Sequence, residues 1–165
     1  MAFPGAVPRV STLESGGDGK MTGQSGTVVA RDLGAFLGVW QVSRQIRQDD
    51  GARGRFEGTA RWQADGTGAI YCERGQFWLG GQGPYPAERS YRWDADLTVY
   101  FEDGRLFHQV PAQGGAVAHW CPPDQYDGVY DFSEWPRWSL RWRVSGPRKA
   151  YQSLTRYTPP GGSGS

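Results

Sequence analysis

The chain has 165 residues, with Lys+Arg 18 against Asp+Glu 17 and a net charge of +1. That length suits one hydrophobic core and not two domains, and the balance leaves neither a general basic field for nucleic acid nor an acidic solvating tail. Gly 25 and Pro 11 beside Trp 8, Tyr 8 and Phe 7 describe short strands joined by many turns, not a helical bundle. No stretch reaches the roughly 20 apolar residues of a membrane span. Residues 1–9 lack the basic region and apolar core of an export signal. Cys72 and Cys121 make no disulfide framework, so the expected location is the reducing cytoplasm.

Residues 1–27 are glycine-rich with no apolar periodicity, which predicts a disordered extension, and 159–165 read as a flexible tail. Between them, 28–158 form the folded domain. A short helix is expected over 31–37, with Leu33, Phe36 and Leu37 on one face and Gly38 as its stop. Strands then follow at 39–48, 54–63, 68–79, 86–94, 97–102, 105–111, 115–121, 125–132, 137–145 and 148–157. Ten consecutive strands with tight links predict an all-β, up-and-down meander. Closure into a barrel removes the unpaired edges that an open sheet would expose.

Register follows from the turns. A two-residue turn at Asp103-Gly104 pairs Phe101 with Leu106 and Val99 with His108, so Leu97, Val99, Phe101, Leu106, His108 and Val110 share the inner face. A two-residue loop at Gln113-Gly114 then sets His119 opposite His108, and one at Gly114-Gly115 sets Cys121 there. Alternation elsewhere gives inner sets of Arg89, Tyr91 and Trp93; of Tyr126, Gly128, Tyr130 and Phe132; and of Trp138, Leu140, Trp142 and Val144. Arg89, two histidines and several tyrosine hydroxyls are more polarity than packing requires, which points to a lined cavity.

Phe36-Leu37-Gly38-Val39-Trp40, a short helix running into a Gly-x-Trp strand, resembles the opening of calycin-type barrels: lipocalins, fatty-acid-binding proteins and nitrobindin-like proteins. The segments 101–108, 119–126 and 144–151 resemble an uncharacterised bacterial and fungal domain family. This resemblance spans about 33–157 and implies a calycin-like barrel without an established activity. Two calycin sites do not carry over. Arg156 and Tyr157 are adjacent where fatty-acid-binding proteins have Arg-x-Tyr, and the last histidine is His119, too early for the haem ligand of nitrobindin-like proteins.

Arg89 beside Tyr91 offers a bidentate fork to a carboxylate or phosphate, and its competing role is an ion pair with Glu57, Glu73 or Glu88. His108, His119 and Cys121 form a polar cluster for ligand contact or proton transfer, but they are too few for a metal site, and none is expected. Trp40 would plug the barrel base against a late arginine such as Arg156. The 146–149 segment reads as a hairpin turn. No Gly-x-Ser-x-Gly, His-Glu-x-x-His, Walker A or dinucleotide fingerprint is present.

The residues therefore point to binding of a small, largely apolar or aromatic molecule with a polar or anionic group. Arg89 and Tyr91 hold its polar end; His108, His119, Tyr126, Tyr130 and Tyr151 hydrogen-bond it; and Phe101, Trp138 and Trp142 form the apolar wall. The alternatives are a cofactor-independent isomerase, cyclase or lyase using His108 or His119 as acid or base, and a haem barrel using either as axial ligand. Neither nucleic acid nor a membrane is an expected partner.

Overall fold

A computed structural model describes residues 29–160; the 1–27 extension, and the tail beyond 160, lie outside the described residues. All ten expected strands form. After α1 (Leu33–Phe36) come β1 (Gly38–Gln48), β2 (Arg53–Asp65), β3 (Gly68–Leu79), β4 (Gln82–Trp93) and β5 (Thr98–Phe101). They continue as β6 (Leu106–Gln109), β7 (Gly115–Cys121), β8 (Asp124–Asp131), β9 (Trp138–Ser145) and β10 (Ala150–Thr158). The hydrogen-bonded order is β6-β5-β4-β3-β2-β1-β10-β9-β8-β7, so the first and last strands pair, from Gln41↔Thr158 to Gln48↔Tyr151. The sheet curls into an all-β, nearly closed barrel whose seam lies between β6 and β7.

Strong curvature needs places where strands can bend, and β2 and β3 supply one. Gly58 faces Gly75 across the ladder, and a Cβ on either would collide with the opposite backbone. Two facing glycines therefore permit an approach that no other residue pair allows.

The α1 end of the barrel is closed by aromatic rings. Asp32 caps the helix by accepting from the Ala35 N–H at 3.1 Å. Phe36, fully buried, meets Trp62, Trp93, Phe132, Trp135 and Trp138 at centroid distances of 5.3–5.9 Å. Trp138 lies flat on Tyr157, 3.9 Å between centroids. Stacked, tilted and edge-on ring contacts add to the area buried by each ring.

Several expectations are corrected. The helix is only four residues long, and Leu37, past its end, is 41% exposed because Gly38 turns the chain with φ +115°. Trp40 does not lean on Arg156, which is exposed on the outer face of β10. Its indole N–H instead donates to the Phe36 carbonyl at 2.8 Å, and the arginine at the plug is Arg31, stacked on Trp135 at 4.5 Å.

The β5–β6 loop has three residues, not two. The Phe101 N–H donates to the Arg105 carbonyl, so Tyr100, not Phe101, faces Leu106. That slip turns Leu106 outward, 58% exposed. A bulge then absorbs one residue and buries both Phe107 and His108, restoring the Val99↔His108 pair. Finally, β7 does not pair with β6; His119 lies opposite Tyr126 of β8, not opposite His108.

Candidate ligand-binding site

Beyond the aromatic plug the interior becomes ionic. In β1 the inward positions are Trp40, Val42, Arg44 and Ile46, so strand alternation itself carries an arginine into the barrel. Glu73 enters from β3 by the same rule, one pleat beyond Tyr71, and Arg89 from β4 directly across the ladder from it.

Arg44 grips Glu73 with both terminal nitrogens, Nη1 to Oε2 at 2.7 Å and Nη2 to Oε1 at 3.0 Å, and its Nε donates to Thr155 Oγ1 at 2.7 Å. Tyr71 donates its hydroxyl to Glu73 Oε1 at 2.5 Å and lies 3.0 Å from the Tyr157 hydroxyl. Arg89 Nε is 3.0 Å from the same Oε1. Burial pushes the Glu73 carboxyl up, but Arg44 and Arg89 more than reverse this and hold it well below the usual carboxylate range. Burial also opposes the Arg89 charge, and Glu73 with the surrounding tyrosines outweighs it.

Two guanidiniums thus share one carboxylate, and they are not equivalent. All three Arg44 nitrogens are engaged and its side chain is 9% exposed. The Arg89 side chain is 36% exposed, and among the described residues its polar contacts end at Glu73. It borders a recess of about 340 Å³ lined also by Ser90, Tyr91, Phe101 and Glu102. The recess exists because β4 pairs with β5 only over Tyr91–Trp93, so the preceding residues of β4 run past the end of β5. Of the rim carboxylates, Glu88 is paired with Arg74 at 3.2 Å and Asp103 with Arg105 at 2.7 Å.

Of the arginine's two expected roles the structure shows the ion pair, whose partner is Glu73, and it places Arg89 on the lining of the recess. Tyr91 and Phe101 stand beside it, 6.0 Å between ring centroids. Tyr151, half-buried, feels the Arg89 charge, yet burial raises its hydroxyl to about 12, so it remains a donor at neutral pH.

A second polar group surrounds His108. Its Nε2 is 2.6 Å from the Tyr130 hydroxyl, its ring packs on Phe107 and Trp142, and its Nδ1 is buried without a partner among the described residues. Burial, and secondarily His119, lowers its basicity well below the usual histidine value, so the imidazole is neutral at pH 7. His119 and Cys121 are half-buried on β7, and Tyr126 is buried opposite His119. No group of three His, Cys, Asp or Glu side chains among the described residues could hold a metal.

Trp138 belongs to the plug and touches both groups from below, stacked on Tyr157 and on Tyr130, 6.2 Å between centroids in the second case. Arg44, Tyr71, Thr155 and Tyr157 escaped the sequence reading, although the inward parity of β1 already marks Arg44 as a cation inside an apolar face. Among the described residues no helix is long and apolar enough to cross a membrane.

Among solved structures, the barrel is similar to an S-type phycobiliprotein lyase, CPES, from Guillardia theta, with a TM-score of 0.53 and 9% identity over 76% of this chain and 89% of that one. A de novo designed fluorescence-activating β-barrel matches with a TM-score of 0.39 and 15% identity over 77% of this chain and 96% of that one. No curated protein matches the sequence. A family model matches residues 36–159, the whole barrel from the Phe36 plug to the end of β10, and the chain belongs to that family of unknown function, DUF6314.

Proposed function

We propose that the barrel binds a small, largely apolar or aromatic molecule through an anionic group, with Arg89 as the anchor. The observation that carries this reading is the imbalance of the buried cluster. Two arginines answer one carboxylate, and the surplus cation is the one that borders a recess. A buried or half-buried guanidinium is stabilised by a bidentate anion, and a carboxylate, sulfonate or phosphate fits its planar fork. Tyr91 and Phe101 supply aromatic surface, and the Tyr151 hydroxyl a further donor. The likeness to a phycobiliprotein lyase supplies the fold and leaves the ligand to be found.

The test uses an aromatic anion, 1-anilinonaphthalene-8-sulfonate, read by its fluorescence and by native mass spectrometry. Binding is expected to saturate at one equivalent. Arg89→Met weakens it by roughly 1.5–3 kcal/mol, the range of hydrogen bonds to charged groups. A neutral naphthylamine loses little. Equal affinity of wild type and Arg89→Met for the sulfonate would remove the anion site.

A second reading, catalysis by His108, is favoured by its neutral imidazole and unpartnered Nδ1. Native mass spectrometry with a visible absorption scan identifies any molecule carried by the fresh protein. Converting that molecule with wild type but not with His108→Gln supports catalysis; its recovery unchanged supports binding alone.

A further inference from the structure

A broad groove lies on the outside of the barrel, away from Arg89. It measures about 930 Å³ and crosses β2, β1, β10, β9 and β8. Ladder register orders its side chains into two rows. One runs Arg53, Arg47, Gln152, Arg143, Asp127; the other, two residues along the strands, runs Arg55, Gln45, Leu154, Arg141, Val129. All five arginines are exposed. None makes a close salt bridge among the described residues, although the Arg141 charge reaches Asp131, and Arg55 rests on Trp78 at 4.2 Å. Asp127 is the one carboxylate lining the groove.

The pattern is two cationic banks with a neutral floor. Arg47, Arg53 and Arg55 form one bank on β1 and β2, and Arg141 and Arg143 the other on β9. Between them β10 contributes Gln152 and the half-buried Leu154. Strands about 4.8 Å apart place β1 and β9 roughly 10 Å from each other, the width taken by one peptide segment. Along each bank, arginines two residues apart are separated by about 6.7 Å, the repeat of alternate side chains on an extended chain. On a molecule of net charge +1, five arginines against one lining carboxylate in a single groove form a local positive field that the composition conceals.

We infer that this outer groove docks an acidic peptide segment of a partner protein, its carboxylates reaching the arginines of both banks and an apolar side chain resting on Leu154 between them. Charge complementarity selects an anion, and the two-sided banks with a neutral floor favour a peptide over a nucleic-acid strand. A strand presents its phosphates along a single line and needs open aromatic platforms, whereas the Trp78 face is occupied by Arg55.

The probe is a fluorescein-labelled dodecapeptide in which Glu alternates with Leu or Ser, followed by anisotropy with the full chain at low salt. A Lys-for-Glu peptide and a labelled oligothymidylate of equal charge serve as competitors. The expected result is saturable binding that weakens at least tenfold in Arg141→Glu/Arg143→Glu and in Arg47→Glu/Arg55→Glu. Leu154→Ser weakens it about threefold, and rising salt releases it. These positions are exposed or on the outer wall, so unchanged melting curves confirm that the variants are folded. Retained affinity in both charge-reversal variants, no saturation by the acidic peptide, or tighter binding of the oligothymidylate would each overturn the inference. Arg89→Met leaves this binding unchanged, which separates the outer groove from the interior site.

Discussion

The two ends of the barrel interior solve the problem of filling space in opposite ways. At the α1 end, Phe36, Trp40, Trp62, Trp93, Trp135, Trp138 and Tyr157 pack ring against ring. One pleat layer further in, Arg44, Glu73 and Arg89 place three charges where apolar side chains of similar volume would fit. The first arrangement is what burial favours, since each ring removes apolar area from water at about 25 cal/mol per Å². The second bears the desolvation of ions, which a good ion pair only roughly offsets. A fold with a tight aromatic plug gains little stability from the charged layer, in keeping with the binding role proposed for Arg89.

That contrast can be broken most sharply at Glu73. Glu73→Gln leaves two arginines facing each other without their carboxylate, and unfolding free energy is expected to fall by about 3–5 kcal/mol in a denaturant titration. Replacing the whole layer with apolar residues, Arg44→Met/Glu73→Leu/Arg89→Met, is expected to restore or exceed wild-type stability while abolishing binding of the aromatic sulfonate. A triple variant that unfolds would make the layer structural after all.

Trp138→Ala, in the plug, costs about 3–5 kcal/mol by loss of burial and the cavity left behind, and this loss does not vary between pH 3 and 8. The acid response belongs to the other end. The Glu73 carboxyl titrates well below its unfolded value of about 4.3, so its stabilisation is complete above that pH and is lost as pH falls toward the folded value. Thermal melts of wild type should therefore decline below about pH 4.5, and those of the triple variant should decline less. His108 adds a milder slope of the same sign. It is neutral when folded and protonates when unfolded, so stability drops as pH falls below about 6.5, and His108→Gln flattens that limb.

A smaller effect is expected at Gly128, whose added Cβ would meet the Trp142 ring at 2.5 Å. Gly128→Ala displaces the indole that packs against His108 and costs about 1–3 kcal/mol by overpacking.

How much of this was legible beforehand depends on which physical signal each residue leaves. Strand alternation is written into composition every second residue, so Trp138, Leu140, Trp142 and Val144 announce their inward face without help from the rest of the fold. The β5–β6 loop leaves no such mark. Asp-Gly suits both a two-residue turn and the last positions of a three-residue loop, and only the packing of Phe107 decides for the latter. Arg89 was visible as a candidate because it shares a face with Tyr91 and Trp93. Arg44 was equally visible by parity, between Val42 and Ile46, yet an arginine in a half-polar strand reads as solvent-facing until its neighbours are counted. That β7 pairs with β8 and leaves β6 across a seam could not be read locally, because the pairing of β1 with β10 decides it across more than a hundred residues.

That closing pair also governs how the chain must fold. Every other ladder joins strands that follow one another, whereas β1 waits for the chain's last strand before it gains its second neighbour. The seam is the reverse: consecutive in sequence, yet outside the ladder. A chain circularly permuted by opening the 110–114 link and joining residue 158 to the start of the domain would turn every ladder into a local hairpin. Its contact order falls, and with it the loop-closure entropy of the slowest step, so it should reach the same barrel faster than the natural order does.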